Sequence, residues 1–122
     1  MNAETIAENL VPIIDWDALL MQSSNEAVAK KLLELFIAQL PDAQKDINQY
    51  CKAGNLFRLD ETLHKLLGAC IYCGVPRLQE ALEDFNQIVV CMGEVDRELL
   101  QVYLDEFNEQ ADALLAAYQM RV

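Results

Sequence analysis

Histidine is the side-chain type whose ordinary titration falls near neutral pH, and this chain contains one, His64. A neutral imidazole nitrogen is a competent nucleophile, so a histidine that is exposed and held in orientation is suited to accept a transferable group. Two other spacings also invite chemistry. Glu61-Thr62-Leu63-His64 has the Glu-x-x-His spacing of carboxylate-bridged metal sites in helical bundles. Such a site requires a second Glu-x-x-His on another helix, which only a symmetric dimer of this chain would supply. Cys70 and Cys73 form a Cys-x-x-Cys pair. Structural zinc takes four ligands, usually as two spaced pairs, and the thioredoxin-like motif sits in a βαβ pattern that is missing here. Cys51, Cys70, Cys73 and Cys91 therefore read as small buried apolar side chains in a reducing compartment.

The elements that position His64 must be helices. The sequence shows no strand-like alternation, no glycine-rich phosphate loop, and four Gly and three Pro to interrupt long elements. Asp15 is placed to cap a short helix carrying Trp16, Leu19 and Leu20 and ending near Ser23 and Ser24. Residues 3–9 have room for another short helix. From Asn25 to about Ala53 apolar residues recur at helical spacing, with Pro41 predicted to kink the helix or to start a new one. Gly54 and Asn55 end that helix and cap the next, expected from Leu56 to about Cys73, where Gly74 stops it. Pro76 fits the first turn of a helix with the stripe Leu78, Ala81, Leu82, Phe85, Ile88 and Val89. After Gly93 a last helix is expected from about Glu94 to Gln119. The predicted fold is all-α: an antiparallel up-down-up-down four-helix bundle with a short N-terminal helix, residues 1–12 forming an extension or linker and residues 13–122 the bundle.

At about 100° per residue, Leu59, Leu63, Leu66 and Cys70 cluster nearly opposite His64, with Thr62, Ala69 and Cys73 beside them. The histidine should therefore face solvent. Within about 60° of it fall Phe57, Leu67 and Ile71, together with Asp60, Glu61 and Gly68. Apolar residues on an outer face mark an interface. Gly68, one turn after His64, costs roughly 1 kcal/mol relative to alanine in a helix interior. Its missing side chain would let another backbone, or a phosphoryl group, approach the imidazole. The plainer alternative is a surface histidine beside a tolerated glycine.

Composition narrows the partners. Nine basic against twenty acidic residues give a formal charge of −11, which repels nucleic-acid phosphates and anionic lipid surfaces. No apolar run approaches the roughly 20 residues needed to cross a bilayer, and no secretory signal opens the chain; the cytoplasm is the expected location, with no direct membrane contact. Glu80, Glu83, Asp84 and Asp96 read as solvated helix faces.

His64-Lys65-Leu66-Leu67-Gly68, followed by Gly74-Val75-Pro76-Arg77 and Leu78, resembles the signature of histidine phosphotransfer (HPt) domains, and is most similar to the HPt modules that end hybrid sensor kinases of the BarA/GacS type. Ile14-Asp15-Trp16 and the long helix interrupted at Leu40-Pro41 also resemble that family, so the likeness runs from about residue 13 to the C-terminus. It implies that His64 accepts a phosphoryl group from a receiver-domain aspartate and passes it to another receiver, as in multistep two-component phosphorelays. It implies no cofactor of the chain's own, with Mg²⁺ in the receiver, no ATP hydrolysis and a monomer, whether free-standing or as the cytoplasmic end of a membrane-anchored kinase. Many relatives carry a basic residue where this chain has Leu67. Cation assistance then falls to Lys65, or more weakly to Arg77. In the family an amide on the following helix can orient the imidazole, and Asn86 lies at the comparable offset; otherwise it is a solvated surface amide. Two alternatives remain at this point: an interaction module that has kept the apolar patch and lost the transfer chemistry, and the metal-binding bundle.

Overall fold

The computed structural model describes residues 11–22 and 25–120. Five helices follow one another: α1 (Trp16–Gln22), α2 (Glu26–Ala53), α3 (Leu56–Cys70), α4 (Pro76–Cys91) and α5 (Arg97–Gln119), with no strand among the described residues.

Four of the five begin at a polar side chain that takes up a backbone N–H left over by the first turn. The carboxylate of Asp15 accepts from Ala18 N at 3.0 Å, and the amide oxygen of Asn25 from Ala27 N at 2.8 Å. Asn55 accepts from Arg58 N and Asp96 from Leu99 N, each at 3.1 Å. Helix α4 has no side-chain cap and starts on Pro76, whose preset φ suits a first turn and whose missing N–H leaves nothing to satisfy. Gly54 closes α2 in the left-handed region at φ 67°, with Asn55 N donating to Tyr50 O at 3.0 Å.

Helices α2 to α5 form a closed ring in which each packs against two neighbours and the diagonal pairs do not meet. This is the antiparallel four-helix bundle expected from long amphipathic helices and short connections. Its core holds Leu33, Leu40 and Ile47 from α2, Leu59 and Leu63 from α3, Leu82 and Phe85 from α4, and Leu100, Phe107 and Leu114 from α5. The Phe85 and Phe107 rings meet at 6.4 Å and 56°, a tilted pair of the kind favoured by ring quadrupoles. Along the α2–α5 seam lies a polar ladder. Asn48 and Asn108 exchange amide hydrogen bonds at 3.1 Å each, and Gln44 Nε2 donates to Asn108 at 3.3 Å and to Asp112 at 3.1 Å.

Helix α1 closes one corner. Leu19 is buried, and Asp15 N donates to Gly74 O at 2.8 Å. Gly74 sits at φ 62°, and a Cβ there would lie 2.7 Å from Asp15 O, so both backbone conformation and space require glycine.

Several boundaries differ from the sequence expectation. Pro41 neither ends α2 nor starts a helix; α2 runs through it, with the ring on the exposed side, where water can serve the carbonyl that proline leaves unbonded. Helix α3 stops at Cys70, and residues 71–74 form a turn. Helix α4 ends at Cys91, and α5 begins at Arg97, not near Glu94, because Asp96 serves as its cap and not as a bare solvated charge. The short helix considered at residues 3–9, and Ser23 and Ser24, lie outside the described residues.

Candidate functional site

Helix α3 buries Leu59, Leu63, Leu66 and Cys70 and turns His64 outward as an exposed residue. The imidazole makes no hydrogen bond to any described residue. His64 also lines neither the groove of about 420 Å³ between α2 and α3 nor the one between α2 and α5. The ring therefore stands on an open helix face, where a nucleophilic nitrogen is accessible to a surface brought against it.

Gly68 lies one turn beyond. A Cβ placed on it would meet nothing within 4 Å, so no contact inside the chain calls for glycine there. The apolar surroundings are Phe57, 75% exposed, and Ile71, 44% exposed, at the two ends of the same face. Two exposed apolar residues were not singled out from sequence: Tyr72 at 61% and Val90 at 64%. Val90 lies one turn past Asn86 on α4 and comes level with Phe57 by the α3–α4 register. Val90 follows Val89 of the buried α4 stripe by one residue, so the helical period alone turns it outward.

Leu67 corrects the sequence expectation. It is half-buried and packs against the core, because its position flanks the buried stripe more closely than its distance from His64 suggested. Asn86 is a second correction. Its amide Nδ2 donates to Asp60 Oδ1 at 2.8 Å, so it engages the carboxylate one turn before His64 and not the imidazole. An ionised acceptor attracts an N–H donor more strongly than a neutral ring nitrogen does. Arg77 is a third: its Nε donates to Val11 O, tying the chain ahead of α1 to the start of α4, so its guanidinium is engaged away from the histidine.

Lys65 is exposed on the flank facing α2, where it lines the groove with Asp42, Asp46 and Glu61. It has no ion pair among the described residues. Glu61 takes Arg58 at 3.2 Å, an exposed i,i+3 pair contributing well under about 1 kcal/mol.

The cysteines divide. Cys51, Cys70 and Cys73 are buried, as expected; Cys91, at the last turn of α4, is exposed, contrary to the expectation. Burial pushes the Cys51 and Cys73 thiols up to about 11 and raises Cys70 as well, which disfavours the thiolate that redox or metal chemistry needs. The Cys73 thiol donates instead to Ala69 O at 3.3 Å. Among the described residues no group of three or more His, Cys, Asp or Glu side chains is arranged to hold a metal ion. None of the described helices is long and apolar enough to cross a membrane.

The fold has a solved counterpart. The HPT domain of a sensor hybrid histidine kinase from Shewanella superposes with a TM-score of 0.71 over 88% of this chain and 95% of that one, at 23% sequence identity. Among curated proteins the chain is 28% identical over 102 residues to the signal transduction histidine-protein kinase BarA of Escherichia coli (strain K12), covering 80% of this chain and 11% of that protein. The same 28% over 102 residues holds for BarA of Shigella flexneri. It is 27% identical over 75 residues to the phosphorelay intermediate protein YPD1 of Candida albicans, 58% of this chain and 41% of that one. The chain thus spans about a tenth of the length of the BarA proteins it matches. The family model for the Hpt domain matches residues 31–117, which include the whole of α3 with its outward histidine and most of the helical ring that supports it. With fold, sequence and site in agreement over that span, the chain belongs to the Hpt domain family.

Proposed function

We propose that this domain is a phosphorelay intermediate, in which His64 takes a phosphoryl group from the aspartyl phosphate of one receiver domain and delivers it to the aspartate of another. The observation that carries this reading is an imidazole in the open on a helix, with bare space above Gly68 and exposed apolar side chains at Phe57 and Ile71 toward the two ends of the same helix face. Phosphoryl transfer asks little covalent chemistry of a protein; it needs in-line approach and neutralisation of charge. The receiver would bring the aspartate and Mg²⁺, and this domain the nucleophile and a docking face. In the transfer the P–O bond to the receiver carboxylate breaks, its electron pair staying on that carboxylate, as the P–N bond to His64 forms. Lys65 is the cation on the adjoining flank, with no competing ion pair among the described residues, and its flexible stem can swing toward the incoming phosphoryl oxygens.

The test is incubation with a phosphorylated receiver. Acid-labile label should move to the chain and be absent from His64→Gln. Label that persists in the variant, or no transfer from any receiver of the same organism, refutes the proposal.

A further inference from the structure

We propose that Asp60, held by Asn86, is the positioning residue for His64: its carboxylate keeps the ring proton on Nδ1 and so leaves Nε2 unprotonated as the nucleophile. This rests on the phosphotransfer reading and adds a specific device to it.

The starting point is a carboxylate with an amide where a cation would be expected. Asp60 is half-buried, and one of its oxygens accepts from Asn86 Nδ2 at 2.8 Å across the α3–α4 interface. Neither Lys nor Arg pairs with it among the described residues; the nearest basic side chain along the helix, Arg58, is taken by Glu61. The second oxygen, Oδ2, has no partner among the described residues. A partly desolvated negative charge of this kind gains from any cation or strong donor that reaches it.

His64 makes no hydrogen bond to any described residue in the structure as it stands, and by its place on the helix it is the donor best able to reach that oxygen. It follows Asp60 by four residues, about 40° away around the helix, and helical side chains lean toward the N-terminus over the preceding turn. Side chains four residues apart on one helix face are neighbours, so a change of imidazole rotamer is the one movement the contact would require. A carboxylate accepting from Nδ1–H fixes the tautomer, as it does for histidines that ligate metals or serve in hydrolytic triads. Nε2 then carries the lone pair on an exposed helix face. On transfer the P–O bond to the receiver aspartate breaks and the P–Nε2 bond forms. The Nδ1 proton stays on the ring, and the positive charge the ring acquires is met by Asp60. Asn86 acts one step removed, keeping the carboxylate from swinging into solvent.

The readout is the tautomer of His64, from ¹⁵N shifts of the ring nitrogens in the unphosphorylated 122-residue chain. In the wild type the Nδ1–H form should dominate. In Asp60→Asn, which keeps the shape, and in Asn86→Leu, the population should move toward Nε2–H, the form that free imidazole side chains prefer; Asn86→Gln, which retains an amide donor, should resemble the wild type. The rate of label transfer to Asp60→Asn should fall about tenfold or more, the lower end of the scale of one hydrogen bond to a charged group. Tautomer populations that are the same in wild type, Asp60→Asn and Asn86→Leu, with helicity unchanged by circular dichroism, overturn the inference even if label transfers normally. A tautomer shift in a chain that takes no label from any receiver supports the positioning pair and refutes the phosphotransfer reading alone.

Discussion

Gly68 offers a perturbation whose two effects have opposite sign. It lies inside α3 and is not among the glycines with positive φ, so alanine can adopt its backbone conformation without strain. The added methyl would touch nothing within 4 Å. Gly68→Ala should therefore stabilise the fold by about 0.8–1.0 kcal/mol, the propensity difference in a helix interior. With an unfolding entropy of about 2.1 cal/mol/K per residue over 122 residues, this raises Tm by about 3–4 °C. If the empty space exists for a partner, the same methyl, one turn from the imidazole, should slow transfer, and Gly68→Leu should slow it further. Thermal or urea unfolding gives the first number, and label transfer from a phosphorylated receiver gives the second. An alanine variant that is not stabilised would contradict the reading of this helix. Alanine and leucine variants that both transfer at the wild-type rate would contradict the reading of the face.

Other consequences can be measured separately. Gly74→Ala must hold a side chain at φ 62° and bring a Cβ to 2.7 Å from Asp15 O, so it should cost about 2 kcal/mol or more and loosen α1, visible as a lowered urea midpoint and faster amide exchange at Asp15. Phe57→Ser should leave stability within about 0.5 kcal/mol, since the ring is 75% exposed, yet weaken binding of the cognate receiver by about tenfold in calorimetry; unchanged affinity would remove Phe57 from the docking face. The Cys51 and Cys73 thiols, at about 11 against an ordinary 9.0, stay protonated while the same thiols ionise in the unfolded chain. Their contribution is therefore intact below pH 9 and is lost as pH rises toward 11. Urea midpoints across that range should fall less steeply for Cys51→Ala than for the wild type, and parallel slopes would argue against thiol burial as the cause.

Local chemistry that acts within one turn was legible in the sequence. The caps at Asp15 and Asn55, the helix end at Gly54, the proline start at Pro76 and the buried stripe Leu59, Leu63, Leu66 and Cys70 all follow from residue type and a period of 3.6. What depends on a second helix was not. Asn86 has the offset of a histidine partner, but the choice between ring and carboxylate is decided by which lies opposite it across the interface, and that is Asp60. Leu67 sits at an angle that belongs to either surface, and the neighbouring helix settles it inward. Pro41 marks a break in an isolated helix, whereas here α2 is held on both sides of it by burial of Leu40 and Ile47. Arg77 reads as a free cation until the strand of chain at Val11 is seen to lie against it.

The polar ladder of Gln44, Asn48, Asn108 and Asp112 bears on how still this molecule can hold its nucleophile. Greasy ridges tolerate sliding; paired amides act like the teeth of a key. A slip of α5 along α2 by one turn, about 5.4 Å, would strand each half-buried amide at about 1–3 kcal/mol. The opposite seam of the ring, between α3 and α4, carries its own polar tie in the Asn86–Asp60 bond. For the imidazole to change height, α3 and α4 would have to travel together past the registered α2–α5 pair, a costlier movement than a change of rotamer on the outer face.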